Sequence, residues 1–279
     1  MTQTIIVADS TAGITPAMLA DNANLRVVPL QVIIGGAQWA EDTITADDMF
    51  RLCREQGAHP RTSQPAPGAF MEAFAPARDG VAVIMITVSG GLSGTVEGAR
   101  AVARQMASEN LFVVDSATAA IGTRKLVEDA LRLTAGGMPA ATVAAQLEQM
   151  ARGTHTLIVP ATLEYLHKGG RIGGAAALFG AILQVRPVLH LVDGSIKVLD
   201  KVRTQNRALV RAVEEVASCS DPDYIAVAHV EARETAETVR EQLRQRYPDR
   251  DISLTEASPV LGAHLGPGVV GIFFRERLV

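Results

Sequence analysis

The 279-residue sequence predicts a two-domain α/β protein, an N-terminal parallel-sheet α/β/α domain over residues 1–153 and a C-terminal mixed-sheet α+β domain over residues 154–279. Three observations carry this expectation. Short apolar, β-rich runs alternate with longer helical patterns, the order of an α/β chain. Runs such as Val81-Ala82-Val83-Ile84-Met85-Ile86 are apolar on both faces, as a parallel strand covered on each side must be. From about Thr154 the pattern changes, and Asp193-Gly194 between two apolar-rich runs signals a β-hairpin.

Strands are expected first at Thr4–Ala8 and Leu25–Ile34, the latter interrupted by Pro29, then at Val81–Thr87 and Leu111–Val114. The helical patterns between and after them cover Ala46–Glu55, Gly68–Phe74, Thr95–Ala107 and Thr118–Ala135. A further helix at Pro139–Ala151 opens on a proline, which suits a first turn. Gly153 then marks the domain boundary. Beyond it come a strand at Thr156–Pro160, a short helix at Leu163–Lys168 and an apolar helical run at Ala175–Leu183. The hairpin joins Pro187–Val192 to Ser195–Leu199. Helices at Thr204–Ala217 and Ala232–Tyr247 alternate with strands at Tyr224–Val230, Asp251–Thr255 and Val269–Phe274. A hairpin combined with βαβ pieces gives a mixed sheet.

Composition narrows the function classes. Aromatic residues make up 4% of the chain and the formal net charge is −4, so neither stacking platforms nor a basic footprint for nucleic acid is present. With 48% hydrophobic residues the core is built from Ala, Val, Leu and Ile. Cys53 and Cys219 lie far apart and form no disulfide framework, which suits a reducing cytoplasm. Met1-Thr2-Gln3-Thr4 lacks the basic segment of a signal peptide. The Ala175–Leu183 run is too short to cross a bilayer, so no stable membrane insertion is expected.

Ligands of open α/β sheets bind beyond the carboxyl ends of the strands. There the chain places Asp9-Ser10-Thr11, Ser89-Gly90-Gly91-Leu92-Ser93-Gly94-Thr95 and Asp115-Ser116. Each cluster alone reads as an ordinary helix cap. Together they suggest a polar pocket rim. The glycines of the second cluster allow backbone N–H groups to approach an anion, but no Gly-Lys-Ser/Thr closes it as a P-loop. Gly91-Leu92-Ser93-Gly94-Thr95 approaches a nucleophile elbow with Thr95 where the second glycine belongs. The order Ser93, Asp115, His264 matches an α/β-hydrolase triad, so a serine esterase acting on lipid esters, with Ser93 as nucleophile, is the alternative function. Three further segments stand out. Arg61-Thr62-Ser63-Gln64-Pro65 is hydroxyl-rich and reads otherwise as a turn, and Leu163 to Ile172 ends a helix on Gly169-Gly170. Gly262 to Gly268 reads as a loop wrapping His264 in small residues.

In this order the motifs resemble the DegV family of bacterial fatty-acid-binding proteins over nearly the whole chain. The resemblance rests on Asp9-Ser10, Thr62-Ser63-Gln64-Pro65, Ser89 to Thr95 and Asp115-Ser116. It continues through Tyr165-Leu166-His167-Lys168-Gly169-Gly170-Arg171-Ile172, Arg186-Pro187, Arg203 and His264-Leu265-Gly266-Pro267-Gly268. It implies a long-chain fatty acid, such as palmitate or oleate, buried between the domains as ligand, with no metal or other cofactor. By the same resemblance Thr62 and Ser93 hold the carboxylate, while Arg171, Arg203 and His264 lie around the head group and its exit. Ser63, Gly94, Thr95, Asp115 and Ser116 belong to the supporting loops.

The family likeness further implies a carrier and not an enzyme. It would be the acyl-carrying subunit of fatty acid kinase, presenting the carboxylate to a separate ATP-dependent kinase that makes an acyl phosphate. The hydroxyls would then bind the acid, and the cations, with His264 as imidazolium, would serve the phosphorylated product. The sequence departs from the family pattern at Ala66, His167 and Gln184, none of them a carboxylate-holding position.

Overall fold

In the computed structural model, which describes residues 4–179 and 185–277, two large sheets of different kinds are built from successive parts of the chain, with a small third sheet beside them. The first part runs β1 (Ile5–Asp9), α1 (Pro16–Asp21), β2 (Leu25–Val28), β3 (Gln31–Ile34) and β4 (Ala37–Ala40). It continues through α2 (Ala46–Gln56), β5 (Arg61–Ser63), α3 (Pro67–Phe74), β6 (Val83–Thr87) and α4 (Thr95–Met106). Then come β7 (Leu111–Asp115), α5 (Ala120–Ala135) and α6 (Ala140–Arg152). The four-stranded sheet has the order β2-β1-β6-β7, all parallel. Alternate side chains reach opposite faces of it. Ile6, Ala8, Ile84 and Ile86 pack with Leu126 and Leu147 of α5 and α6. Val7, Val83 and Met85 pack with Phe70, Phe74 and Ala99 of α3 and α4. Helices on both faces explain the uninterrupted apolar runs.

The second part opens with β8 (Thr154–Val159) and α7 (Glu164–Lys168), followed by the hairpin β9 (Arg186–Val192) and β10 (Ser195–Val202). It then runs α8 (Gln205–Val216), β11 (Pro222–Val230), α9 (Arg233–Arg246), β12 (Ile252–Glu256), α10 (Pro259–Leu265) and β13 (Val269–Glu276). The mixed sheet has the order β10-β9-β8-β13-β11-β12, antiparallel except between β11 and β12. Asp193 and Gly194 both have positive φ, +50° and +72°, as a type I′ hairpin turn requires. The face carrying Val159, Val227 and Ile272 packs on α8 and α9. The opposite face, with Ile158, Ala228 and Phe273, joins a cluster that includes Ile121 and Val32 from the first part of the chain.

Several expectations are corrected. The Leu25–Ile34 run is two strands in two sheets, because Pro29 has no N–H to continue a ladder. Its second half, β3, turns through Gly35 and Gly36, both with positive φ, and forms a three-stranded antiparallel sheet, β4-β3-β5. Arg61–Ser63 is a strand of that sheet, with Thr62 opposite Val32, and not a turn. His264 lies on helix α10, not in a loop. The expected helix at Ala175–Leu183 is a 3-10 segment over Gly173–Leu178, and its end at 180–183, with Gln184, lies outside the described residues. Among the described residues no helix is long and apolar enough to cross a membrane.

Candidate functional site

A cavity lies between the four-stranded parallel sheet and the mixed sheet, enclosing about 840 Å³ of space including its mouth. Leu30, Val88, Ala119 and Ala120 come to it from the first part of the chain, and Ile158, Ala228, Gly271 and Phe273 from the mixed sheet. Helix α10 contributes Val260 and Leu261. The lining is overwhelmingly aliphatic. Its polar side chains include Thr62, Ser93, Arg171 and His264, four residues singled out in the sequence.

Their placement follows from local structure. Thr62 sits on β5, and its Oγ1 is 2.7 Å from Nε2 of His264 on α10. Ser93 stands in the loop after β6, with its hydroxyl 2.8 Å from Oγ1 of the buried Thr95, whose own N–H points back to Ser93 Oγ. Arg171 donates through Nε to Leu92 O at 3.0 Å and through Nη1 to Gly169 O at 2.6 Å. Its guanidinium thus reaches from the segment after α7 to the Ser93 loop. Gly169 is needed by close approach, since a Cβ there would come 2.4 Å from His264 Nδ1.

The other predicted residues fall outside this cluster. Asp115 accepts from Gly90 N at 3.1 Å and Ala117 N at 2.8 Å, and buried Ser116 bonds Thr118 O and Thr123 Oγ1. They brace loops. Gly94 lies against Gln64, and exposed Ser63 donates to Gln64 O. Arg203 is exposed in the bend after β10, away from the cavity lining. The glycine loop is also not the anion cradle its composition suggested. Gly90 N is held by Asp115 and Gly91 N by Ser89 Oγ at 3.1 Å, while a Cβ on Gly91 would come 2.4 Å from Gly194 O. Gly91 is required because the Asp193-Gly194 turn docks there, with Ser89 Oγ donating to Gly194 O at 2.7 Å.

No triad forms. His264 Nε2 is engaged with Thr62, Ser93 with Thr95, and Asp115 with backbone N–H groups, so the esterase reading loses its base and its orienting acid.

His264 is neutral here, and the imidazolium expected from the sequence belongs to the phosphorylated product alone. Burial, then the charge of Arg171 and the neighbouring His59, push its pKa down to about 4. In the unfolded chain it titrates near 6.5. Its contribution to stability is therefore complete above pH 6.5 and lost as pH falls toward 4, because the unfolded state gains the proton first. Asp9 acts in the opposite sense. Its buried carboxylate accepts from Val88 N and from Thr11 N and Oγ1, and burial raises its pKa to about 6. Comparing His264→Gln with wild type isolates the histidine. Between pH 7 and pH 4.5 wild type should lose roughly 2 kcal/mol more unfolding free energy than the variant. Parallel denaturant curves for the two proteins would count against a buried neutral His264.

Sequence reading missed two buried contacts of this region. Thr118 and Thr156 bring their hydroxyls within 2.6 Å beside the cavity, one from each domain. Glu41, which looks like a surface acid in Ala40-Glu41-Asp42, is buried and bonded to α10. No local signal marks either pairing.

The model of the DegV family, described as an uncharacterised protein family, matches residues 3–277. The chain belongs to the DegV family. Among curated relatives, a DegV domain-containing protein of Streptomyces coelicolor is 35% identical over 280 residues, covering 98% of each chain. Another, from Halalkalibacterium halodurans, is 32% identical over 278 residues, again covering 98% of each. A DegV family protein of Thermus thermophilus, described for its fatty acid binding, superposes with a TM-score of 0.86 at 30% identity, over 99% of this chain and 100% of its own. The fatty-acid-binding DegV protein of Bacillus subtilis gives a TM-score of 0.86 at 28% identity, with the same coverage. The two-domain architecture of this DegV chain, one parallel and one mixed sheet, is that of these structures.

Proposed function

We propose that this DegV protein is a carrier that binds a long-chain fatty acid, such as palmitate or oleate, in the cavity between its sheets. The observation that carries this is an aliphatic cavity with Thr62, Ser93, His264 and Arg171 among its few polar side chains. A sixteen-carbon tail has about 14 methylenes, each contributing about 0.8 kcal/mol on burial, on the order of 11 kcal/mol at most. Loss of free motion offsets several of these, which still leaves tight binding. The carboxylate requires donors once it leaves water. Thr62 and Ser93 hydroxyls supply them, with Arg171 providing positive charge next to the Ser93 loop. Fatty-acid binding in the similar proteins of Thermus thermophilus and Bacillus subtilis supports the same ligand here.

The bound acid is then the substrate of a separate ATP-dependent kinase. A carboxylate oxygen attacks the γ-phosphorus of ATP held by a separate kinase, ADP leaves, and an acyl phosphate forms on the carrier. Arg171 then meets the added charge, and exposed Arg203, which makes no ion pair among the described residues, faces the partner or the phosphorylated product. Mass spectrometry of organic extracts of purified protein tests the ligand. A C16 or C18 acid is expected, and an empty extract with no uptake of palmitate or oleate would overturn the proposal. Addition of ATP and a fatty acid kinase subunit should yield a hydroxamate on trapping with hydroxylamine, and none without this carrier.

A further inference from the structure

Helix α10 is tied at both ends to one small sheet region. At its far end His264 meets Thr62 of β5. At its start Val260 N donates to Oε1 of Glu41, which follows directly after β4, at 2.8 Å. Glu41 and Val260 are 219 positions apart in the chain. Ser258, in the position that usually caps a helix, makes no side-chain capping bond to its backbone. Glu41, in the 3-10 turn that follows β4, takes that place.

Glu41 is 4% exposed, and its second carboxylate oxygen accepts the Ser10 hydroxyl, which in turn accepts Leu30 N at 2.9 Å. Glu41 makes no ion pair among the described residues, and burial, with Asp9 nearby, raises its pKa. An acid buried without a counter-ion is costly, and a hydroxyl cap would serve an ordinary two-turn helix at lower cost. What distinguishes α10 is its place in the cavity wall, to which it gives Val260, Leu261, His264 and Leu265.

We propose that Glu41 is a positioning residue, which fixes the first turn of α10 so that the helix keeps the cavity wall closed and His264 directed at Thr62. The proposal rests on fatty-acid binding in this cavity. When a carboxylate takes the Thr62 hydroxyl, the tie at the His264 end of the helix is open to competition. The Glu41–Val260 tie is not, and it holds α10 through ligand exchange.

The test uses the full chain with Glu41→Ala and Glu41→Gln. Alanine removes the acceptor for Val260 N, and glutamine keeps one. In folded, ligand-free Glu41→Ala the His264 ring, followed by NMR, should titrate well above 4, toward its ordinary 6.5. Palmitate should dissociate about tenfold faster from this variant, as the loss of one buried hydrogen bond of about 1.4 kcal/mol predicts. Glutamine should restore both properties to near wild type. Wild-type His264 titration and dissociation in a folded Glu41→Ala protein would overturn the proposal, as would a glutamine variant as impaired as the alanine one. If Glu41→Ala fails to fold, Ser10→Ala frees the other carboxylate oxygen and should shift the His264 titration in the same direction; no shift there would also overturn it. The titration needs no ligand, so a protein that binds no fatty acid at all would sink the proposed function while still deciding the role of Glu41.

Discussion

Replacing Ser93 and Thr62 together by alanine is expected to weaken palmitate binding by about a hundredfold or more, with little change in melting temperature. In the proposed binding mode each hydroxyl donates to the buried carboxylate, and such charge-assisted bonds contribute about 1.5–3 kcal/mol apiece, tenfold in affinity for every 1.4 kcal/mol. Either single variant should lose roughly tenfold on the same basis. The fold should tolerate both changes. Thr62 and Ser93 are only half-buried, and the bonds they lose are to His264 and Thr95. Titration calorimetry with palmitate reads the effect. The methyl ester of the same acid is the internal control, because it keeps the tail and lacks the anion. Its affinity should be nearly the same in all the variants. Unchanged palmitate affinity in both single variants would remove Thr62 and Ser93 from the head-group role, and equal losses for acid and ester would mean that the cavity itself had been damaged.

The strands of both large sheets were legible because each repeats a local rule. Runs apolar on both faces gave β6, and Asp193-Gly194 gave the β9–β10 hairpin. What escaped was partner choice. Pro29 marked a break, yet nothing local says that β2 joins one sheet and β3 another. Gly35-Gly36 between Ile34 and Ala37 was a readable hairpin signal for β3 and β4. Glycines misled in two places for one reason. Gly91 and Gly262 are small because something packs on them, the Gly194 carbonyl in one case and Met49 with Phe50 in the other. Close approach and loop flexibility leave the same letter in a sequence. Thr62 and Ser93, expected from the ordered motifs to hold a carboxylate, both line one cavity. Arg203, read the same way, does not, since motif order carries no information about which way a side chain faces.

Arg275→Met should be the most damaging substitution away from the cavity, with a loss of about 3–5 kcal/mol. Arg275 rises from β13 with 6% of its side chain exposed, and its Nη1 lies 2.7 Å from Asp129 Oδ2 on α5, itself 12% exposed. The same guanidinium donates through Nε to Asp223 at 3.0 Å and lies 5.4 Å from the Tyr224 ring centroid. Removing it strands the Asp129 carboxylate, which keeps only the exposed Arg132 at 2.9 Å. At about 2–4 °C per kcal/mol for chains of this size, the melting temperature should fall by roughly 10 °C. The loss comes from the unpaired acid more than from the missing attraction, so adding Asp129→Asn to Arg275→Met should recover part of it. A double variant as unstable as the sum of the singles would show instead that Arg275 stabilises through packing on Tyr224. Because Asp129 belongs to the first domain and Arg275 to the second, the broken pair should also loosen the walls of the cavity between them. Palmitate should then leave Arg275→Met faster than wild type at temperatures where both are fully folded, whereas equal rates would place this ion pair outside the motion that releases the ligand.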